Sequence, residues 1–368
     1  LSPLPFFFHC APKMLEKYKD EVIRLISIAG FDLAASNQFE NIRSQGCISS
    51  LFRVRLNNDS TIVVKLTEKD NSQICSELHN REIEFYRWLN DENERENSMA
   101  NLKCPKYYGG YECVDKIGII LMEDFSSRLC RDLSDIKGFD VQTVFKVVRE
   151  LAGIQCLHLS SNHELKNKLD RFDYSSSVRN CLPKLDRMDG ISIEMRRKLN
   201  EWIEPVTLFK IQTNLPQDIQ GISPTLIHCD LWVDNLLFCR DDIDIDLLSI
   251  IDWQCFKIGN PLLDVASLLG LCMTTEERRE YTKEVMRVYV EEIEKRKEHF
   301  KRPFHITLHK ANLLLFHAFR WPCVQLMTAV VTMSDEEREE NGEEYEVFTA
   351  RLTELMKDTL TLENGAEE

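Results

Sequence analysis

The sequence predicts an α+β, two-lobed fold: a small N-terminal β-sheet lobe with one main helix, then a large, mostly helical C-terminal lobe. Three observations predict it. Apolar residues alternate with period two in the first third, and again only in a short island between Leu226 and Trp253. From about residue 140 the apolar residues otherwise recur at three and four, the helical period. The chain has 368 residues, enough for two units that each bury a core, and only 13 are Gly, which disfavours a turn-rich all-β chain. The boundaries drawn from these patterns are 1–123 for the first lobe, 124–362 for the second and 363–368 for an acidic tail.

Residues 13 to 30 read as a helix, because Leu15, Val22, Leu25, Ile26 and Ala29 fall on one side. Phe52, Val54 and Leu56 then alternate with Arg53 and Arg55. The turn Asn57-Asn58-Asp59-Ser60 follows, and Thr61 to Leu66 completes a β-hairpin. Residues 77 to 90 form a helix with Leu78, Ile83, Tyr86 and Leu89 apolar, and the charged stretch Asn90 to Asn97 reads as an exposed loop. Two extended segments follow, Tyr107 to Cys113 and Ile117 to Met122. In the second lobe Val141 to Leu159 is a helix by its Val144, Val147, Val148, Leu151, Ile154 and Leu157 repeat. Residues 191 to 213 are weaker helix, and helices are expected at 262–272, 276–298, 306–333 and 335–360. Glu363 to Glu368 reads as frayed.

Composition excludes several function classes. Lys+Arg number 46 and Asp+Glu 61, a net charge of −15. Such acidity repels phosphate backbones, so no nucleic-acid partner is expected, and it also serves solubility. The 13 cysteines are scattered without a Cys-x-x-Cys pair. That argues against a zinc ribbon or thioredoxin-type site and fits a reducing, cytoplasmic compartment. His305 and His309 stand four apart but lack the Glu of a zincin motif, and read as helix surface. No apolar run approaches the ~18–20 residues that span a bilayer, so no membrane span is expected. Leu1 to Ala11 lacks the basic start of a signal peptide. The oligomeric state stays open.

The β-rich island carries the chemistry. It reads Leu226-Ile-His228-Cys-Asp230-Leu-Trp-Val-Asp-Asn235, and Asp252 ends the later run Leu247-Leu-Ser-Ile-Ile251. Phosphoryl transfer explains why these residue types belong together. It needs a carboxylate at the attacking hydroxyl and oxygen ligands that hold Mg²⁺ across the phosphates. Asp230 suits the first task. Asn235 and Asp252 suit the second, as the metal ligands, because Mg²⁺ takes a few carboxylate and amide oxygens and completes its shell with phosphate and water. His228, which opens the motif, is counted with them as catalytic.

The first lobe supplies what such a site needs. Lys65 ends the strand Ile62-Val63-Val64-Lys65, similar to the Val-Ala-Ile-Lys strand of kinases, and can hold phosphate as a point charge. Glu82 is its expected partner, with Glu77 and Glu84 as competitors and Glu84 the weakest by helix rotation. Ser44-Gln-Gly46-Cys-Ile-Ser49-Ser50 is the candidate phosphate loop. It has one glycine, Gly46, and serine donors at Ser49 and Ser50, and reads equally as an ordinary turn.

At these residues the chain resembles the choline kinase and aminoglycoside phosphotransferase superfamily. His228-Cys-Asp-Leu-Trp-Val-Asp-Asn235, Ile251-Asp-Trp-Gln254 and Gly259-Asn-Pro-Leu-Leu-Asp264 look most like its ecdysteroid kinase-like (CHK kinase-like) branch. His79-Asn-Arg-Glu82-Ile-Glu-Phe-Tyr86 is similar to that branch's first-lobe helix, and the likeness covers about residues 40 to 340. The resemblance implies a protein-kinase-like fold, ATP and Mg²⁺ as cofactors, and transfer of the γ-phosphate to a hydroxyl of a small molecule. By motif match Asp230 becomes the catalytic base, Asn235 and Asp252 the magnesium ligands, and Lys65 with Glu82 the nucleotide-side pair. Adenine would sit at the connector Met122-Glu123-Asp124-Phe125, and Asp264 would brace the catalytic loop. Two departures stand out: the poor glycine loop, and Cys229 where Gly is frequent, which matters if the turn needs φ > 0.

A protein-kinase activity is not expected, because His-Arg-Asp, Asp-Phe-Gly and Ala-Pro-Glu segments are absent. A steroid-like or other lipophilic alcohol is the acceptor the resemblance favours. A choline- or ethanolamine-type kinase is the alternative, since Trp232, Trp253 and Trp321 could face a cation, although they read first as core. A catalytically inactive kinase-like binding protein is the reading from another class. The Leu313-Leu-Leu-Phe-His-Ala-Phe319 segment could line an apolar pocket and reads first as buried helix. The charge around Asp230 discriminates: carboxylates would favour a cation, apolar walls a steroid.

Overall fold

The structure is a computed structural model that describes residues 11–34, 39–42, 49–69, 74–95, 102–130, 138–160, 165, 190–213, 221–240, 244–297, 305–333, 338 and 341–366. Helix α1 (Ala11–Ile28) precedes β1 (Phe39–Ile42), β2 (Ser50–Arg55) and β3 (Thr61–Glu68). Helix α2 (Ile74–Arg95) follows, then β4 (Tyr107–Tyr111) and β5 (Ile117–Glu123). The five strands make one antiparallel sheet in the order β1-β2-β3-β5-β4. The turn between β2 and β3 is closed by Asn58 Oδ1, which accepts from the Ser60 N–H at 3.1 Å, with Asp59 at φ 62°. Strand β1 has no alternating signal strong enough to predict it.

Period-two alternation decides what each face of this sheet does. Ile62, Val64 and Leu66 of β3, with Ile119 and Leu121 of β5, pack under Tyr18, Val22, Leu25 and Ile26 of α1. The intervening residues, Val63, Lys65 and Thr67, therefore face α2 and the second lobe. Burying five aliphatic side chains at about 1.5–3 kcal/mol each holds Lys65 on the inner face. On the same face His79 of α2 donates from Nε2 to the Tyr111 carbonyl at 3.1 Å. Its Nδ1 then accepts from the Thr67 hydroxyl at 2.9 Å, and Thr67 in turn accepts from Ser49 Oγ at 2.7 Å. Gly118 is required beneath this ring, since a Cβ there would lie 2.3 Å from it.

Burial holds His79 neutral, its pKa lowered to about 4. The unfolded chain binds that proton more tightly, so stability is complete above about pH 6.5 and falls as pH drops toward 4. Wild type should lose about 2 kcal/mol between pH 7.5 and pH 5 from this group. Urea midpoints at the two pH values should lie closer together in His79→Gln. Equal gaps would place the acid sensitivity elsewhere.

The second lobe contains α3 (Val141–Ser160), α4 (Ile193–Trp202) and α5 (Pro205–Thr213), then β6 (Thr225–Ile227), the β7–β8 hairpin (Leu236–Arg240 and Ile245–Ile250) and β9 (Lys257–Gly259), which pairs with β6. It ends with α6 (Leu263–Leu271), α7 (Thr275–Arg296), α8 (Leu308–Ala318), α9 (Arg320–Thr332) and α10 (Gly342–Ala366). Every residue of α6 is buried, and all but Asp264 and Ser267 are apolar. One continuous core joins α2, the inner face of β5 and these helices.

Several element bounds differ from expectation. The stretch predicted as a loop after residue 90 continues α2 to Arg95. The single helix expected over 306–333 is two, α8 and α9, with Pro322 in the first turn of α9, where a missing N–H costs nothing. An 18-residue window within Leu308–Thr332 has mean hydropathy 1.3, so by length and composition it passes as a membrane span, contrary to expectation, but 78% of that window is buried inside the fold. The tail expected to fray from 363 is helix to Ala366, because Glu363 is held by Lys198 and Arg320, each at 2.8 Å. Leu314, Leu315 and Ala318 of α8 are core, as are Trp253 and Trp321, while Trp232 is half-buried.

Candidate active site

The first lobe and the motif island meet at Lys65. Its Nζ lies 2.6 Å from Glu82 Oε2 and 2.6 Å from Asp252 Oδ1. Glu82 is thus the partner on α2. Burial works against the Lys65 ammonium, but the carboxylates of Asp252 and Glu82 outweigh it and raise its pKa. Burial raises the Glu82 carboxyl against the pull of Lys65. The docking of α2 places Glu82: Phe85 stacks on Trp253 with ring centroids 4.1 Å apart and planes 7° apart. Trp253 in turn meets the His228 ring edge-on at 4.6 Å.

The loop carrying Asp230 is pinned from two sides. Asp264, in the first turn of α6, accepts from the backbone N–H of His228 at 2.7 Å and of Cys229 at 2.9 Å. Asp264 reaches this position because the preceding Gly259 passes over the Gln212 carbonyl, where a Cβ would lie 2.2 Å from the oxygen. Asn260 then donates to the Leu314 carbonyl at 3.1 Å and caps Leu262 N–H at 3.0 Å. Burial lifts the Asp264 pKa to about 6, even with two N–H donors on it.

His228 ties the Asp230 loop to the segment that ends at Ile251. Its Nε2 lies 2.8 Å from the Ile251 carbonyl, which can only accept, so the proton is on Nε2. Its Nδ1 accepts from the Asp230 N–H at 3.2 Å. Burial lowers its pKa to about 4. Both ring nitrogens are therefore engaged within the fold. Neither nitrogen is left free for proton transfer, and the two bonds fix the Asp230 loop against the strand end bearing Asp252.

Cys229 adopts φ 70°, in the left-handed region. The condition under which Cys for Gly matters is therefore met. A β-carbon there costs on the order of 1–2 kcal/mol, opposed locally by the Asp264 hydrogen bonds. Cys229→Gly should fold with at least wild-type stability. Cys229→Val should lose about 2 kcal/mol, because a β-branched residue is poorly tolerated at positive φ. Chemical denaturation of both variants checks this, and equal stabilities would mean that the backbone relaxes.

Asn235 donates from Nδ2 to the Asp230 carbonyl at 2.7 Å, which leaves Oδ1 as the atom oriented to accept or ligate. Its own carbonyl accepts from the Ile251 N–H at 3.0 Å, so the two candidate metal ligands are tied by main chain. Asp252 sits at φ 64°, which Asp tolerates, and its Oδ2 receives Gln254 Nε2 at 3.1 Å. Asp230 is 9% exposed, and burial together with the nearby Asp252 charge raises its pKa to about 7. Gln325 of α9 lies beside the Asp230 carboxylate and opposes that rise, and its Oε1 is held by Ser267 Oγ at 2.9 Å. Sequence reading missed Gln325, whose only signal is an amide inside an apolar helix.

The remaining nucleotide-side candidates divide. Ser49 Oγ–H is directed at Thr67, and Gly46 lies outside the described residues. The Glu123 carboxylate is held by Arg128 and by the Lys106 N–H, so any contact there would be main-chain. Among the described residues no cluster of three or more His, Cys, Asp or Glu is arranged for a metal. One carboxylate and one amide oxygen do fit an ion that completes its shell with phosphate.

The curated protein "Uncharacterized oxidoreductase dhs-27" of Caenorhabditis elegans is 20% identical over 301 residues, 76% of this chain. The match covers 35% of that protein, so the chain spans about a third of its length. A "4-hydroxytryptamine kinase" of Psilocybe cyanescens is 37% identical over 60 residues, 16% of this chain and 17% of that one. Among solved structures, choline kinase from Cryptosporidium parvum Iowa II superposes with TM-score 0.53 at 12% identity, covering 94% of this chain and 96% of that chain. The GDP complex of wild-type aminoglycoside 2'-phosphotransferase-IIIa gives TM-score 0.52 at 14% identity, covering 93% and 98%. The fold is therefore the kinase-like fold that these phosphotransferases share. The family model DUF1679, described as "Uncharacterized oxidoreductase dhs-27", matches residues 42–365, and the chain belongs to that family.

Proposed function

We propose that the chain is an ATP- and Mg²⁺-dependent small-molecule phosphotransferase that moves the γ-phosphate of ATP to an acceptor hydroxyl. The observation that carries this reading is the meeting of Lys65, Asp252, Asn235 and Asp230 at one cleft, from segments up to 187 residues apart in sequence. Lys65, braced by Glu82, would hold phosphate oxygens. Asp252 and Asn235 would hold Mg²⁺, which when bound offsets charge on the β- and γ-phosphates. Asp230, with its pKa raised to about 7, is suited to take the acceptor's proton near neutral pH. His228, Asp264 and Gln325 position it.

The nucleotide-bearing phosphotransferase neighbours and the kinase relative support this class. The oxidoreductase name belongs to a worm protein about three times the length of the match. This chain has no Gly-x-Gly-x-x-Gly dinucleotide fingerprint. By the resemblance to the ecdysteroid kinase-like branch, the acceptor would be a lipophilic alcohol, and the work a cytoplasmic one. A choline-type cation is disfavoured, because the side chains flanking Asp230 include Arg81 and Lys257. Release of ADP from Mg-ATP, screened over hydroxyl-bearing small molecules, tests the proposal. Acceptor-dependent release is expected. A chain that neither binds Mg-ATP nor releases ADP would instead be an inactive kinase-like binding module.

A further inference from the structure

A pocket opens beside Asp230, and neither Lys65 nor Asp252 lines it. Asp230 is the member of the proposed catalytic set that lines it. Leu78 and Trp321 give it apolar wall, and Arg81 and Lys257 give it two cations. In a chain of net charge −15 this is a local reversal of sign.

Neither cation has an acidic partner at ion-pair distance among the described residues. Lys257 is 7% exposed, and its ammonium donates to the neutral Gln212 Oε1. Arg81 donates to the Phe256 carbonyl and lies over the Phe256 ring at 5.2 Å, while its Nε is buried with no partner. Burial lowers the pKa of both groups. Glu84 and Glu77 act on Arg81 only from beyond ion-pair distance, and desolvated cations hydrogen-bonded only to neutral groups are costly unless an anion joins them. Both come from positions set by the site itself: Arg81 precedes Glu82 on α2, and Lys257 opens β9, five residues past Asp252.

We infer that the acceptor carries an acidic group besides its hydroxyl, bound by Arg81 and Lys257 while the hydroxyl rests at Asp230. This rests on the phosphotransferase reading and narrows it to lipophilic hydroxy acids, whether carboxylic or sulfated. In the transfer the hydroxyl oxygen bonds to the γ-phosphorus and the bond from that phosphorus to the β-bridging oxygen breaks. ADP leaves with the electron pair, and the hydroxyl proton passes to the Asp230 carboxylate. The anchored anion takes no part in bond making. Held at two points, the acceptor presents one hydroxyl to the phosphate, which is how orientation contributes to rate.

The test uses the full chain saturated with Mg-ATP, so that the phosphate site is filled. Titration calorimetry with inorganic sulfate, in wild type, Arg81→Gln and Lys257→Gln, reads the anion site. ADP release with ω-hydroxy fatty acids and their methyl esters reads the acceptor. Loss of one charged hydrogen bond should weaken sulfate about 10- to 100-fold in each variant. Acids should have the lower KM, and that advantage over the esters should vanish in Lys257→Gln. Sulfate binding that is absent, or indifferent to both substitutions, overturns the inference, as does equal KM for acid and ester in wild type. If instead sulfate binds at these residues while no Mg-ATP binding is found in wild type, the anion pocket stands and the phosphotransferase reading fails.

Discussion

Replacing Asp230 by Asn should lower acceptor-dependent ADP release by about 10²–10⁴-fold while the protein still binds Mg-ATP. The loop survives this substitution because its ties are main-chain: Asp230 N–H to His228 Nδ1, and Asp230 carbonyl to Asn235 Nδ2. Only the carboxylate is removed, and with it the group able to take the hydroxyl proton. Burial and the Asp252 charge both oppose ionisation of Asp230, so losing that charge should leave stability unchanged or raised. Turnover is read by ADP release, nucleotide binding by the shift in melting temperature. Wild-type turnover in the variant would remove Asp230 as the base.

Replacing Asp252 by Asn should abolish the stabilisation that Mg-ATP confers on wild type. At a hundredfold excess over the dissociation constant that stabilisation is about 2.7 kcal/mol. Asn is the informative replacement, because Asp252 sits at φ 64°, which Asn tolerates and Ala does not. The variant keeps the amide contact of Gln254 and the 2.6 Å Lys65–Glu82 pair, so the nucleotide-side lysine stays in place. What is lost is the carboxylate proposed to hold the metal. Parallel melting curves with ATP alone and with Mg-ATP separate metal-dependent from metal-free binding. Undiminished Mg²⁺ dependence would place the ion on other ligands.

Much of the site is legible in the order of residues alone. Asp230 and Asn235 lie five residues apart in one loop, and Asp252 ends one strand, so local spacing is enough to expose them. The inward face of Lys65 follows from alternation in β3, because Ile62, Val64 and Leu66 must bury together. Choosing Glu82 over Glu77 and Glu84 needs more, since helix phase leaves neighbouring turns in competition. The Phe85–Trp253 stack settles that choice by docking α2 onto the turn after Asp252.

Other features depend on residues that share no local pattern. Gln325 reaches Asp230 from α9, 95 residues further along the chain. The φ of 70° at Cys229 comes from closure of its turn onto Asp264, not from the residue itself, which alone disfavours it. Arg81 looks like any helix-surface cation, and Lys257 like any strand lysine, until α2 and β9 close on one pocket. The sequence by itself determined which chemical groups are present and which strand face each shares with its neighbours, because those follow from periodicity over a few residues. Only the tertiary structure decided which charges are left without a counter-charge, because desolvation and pairing are set by what packs across the cleft.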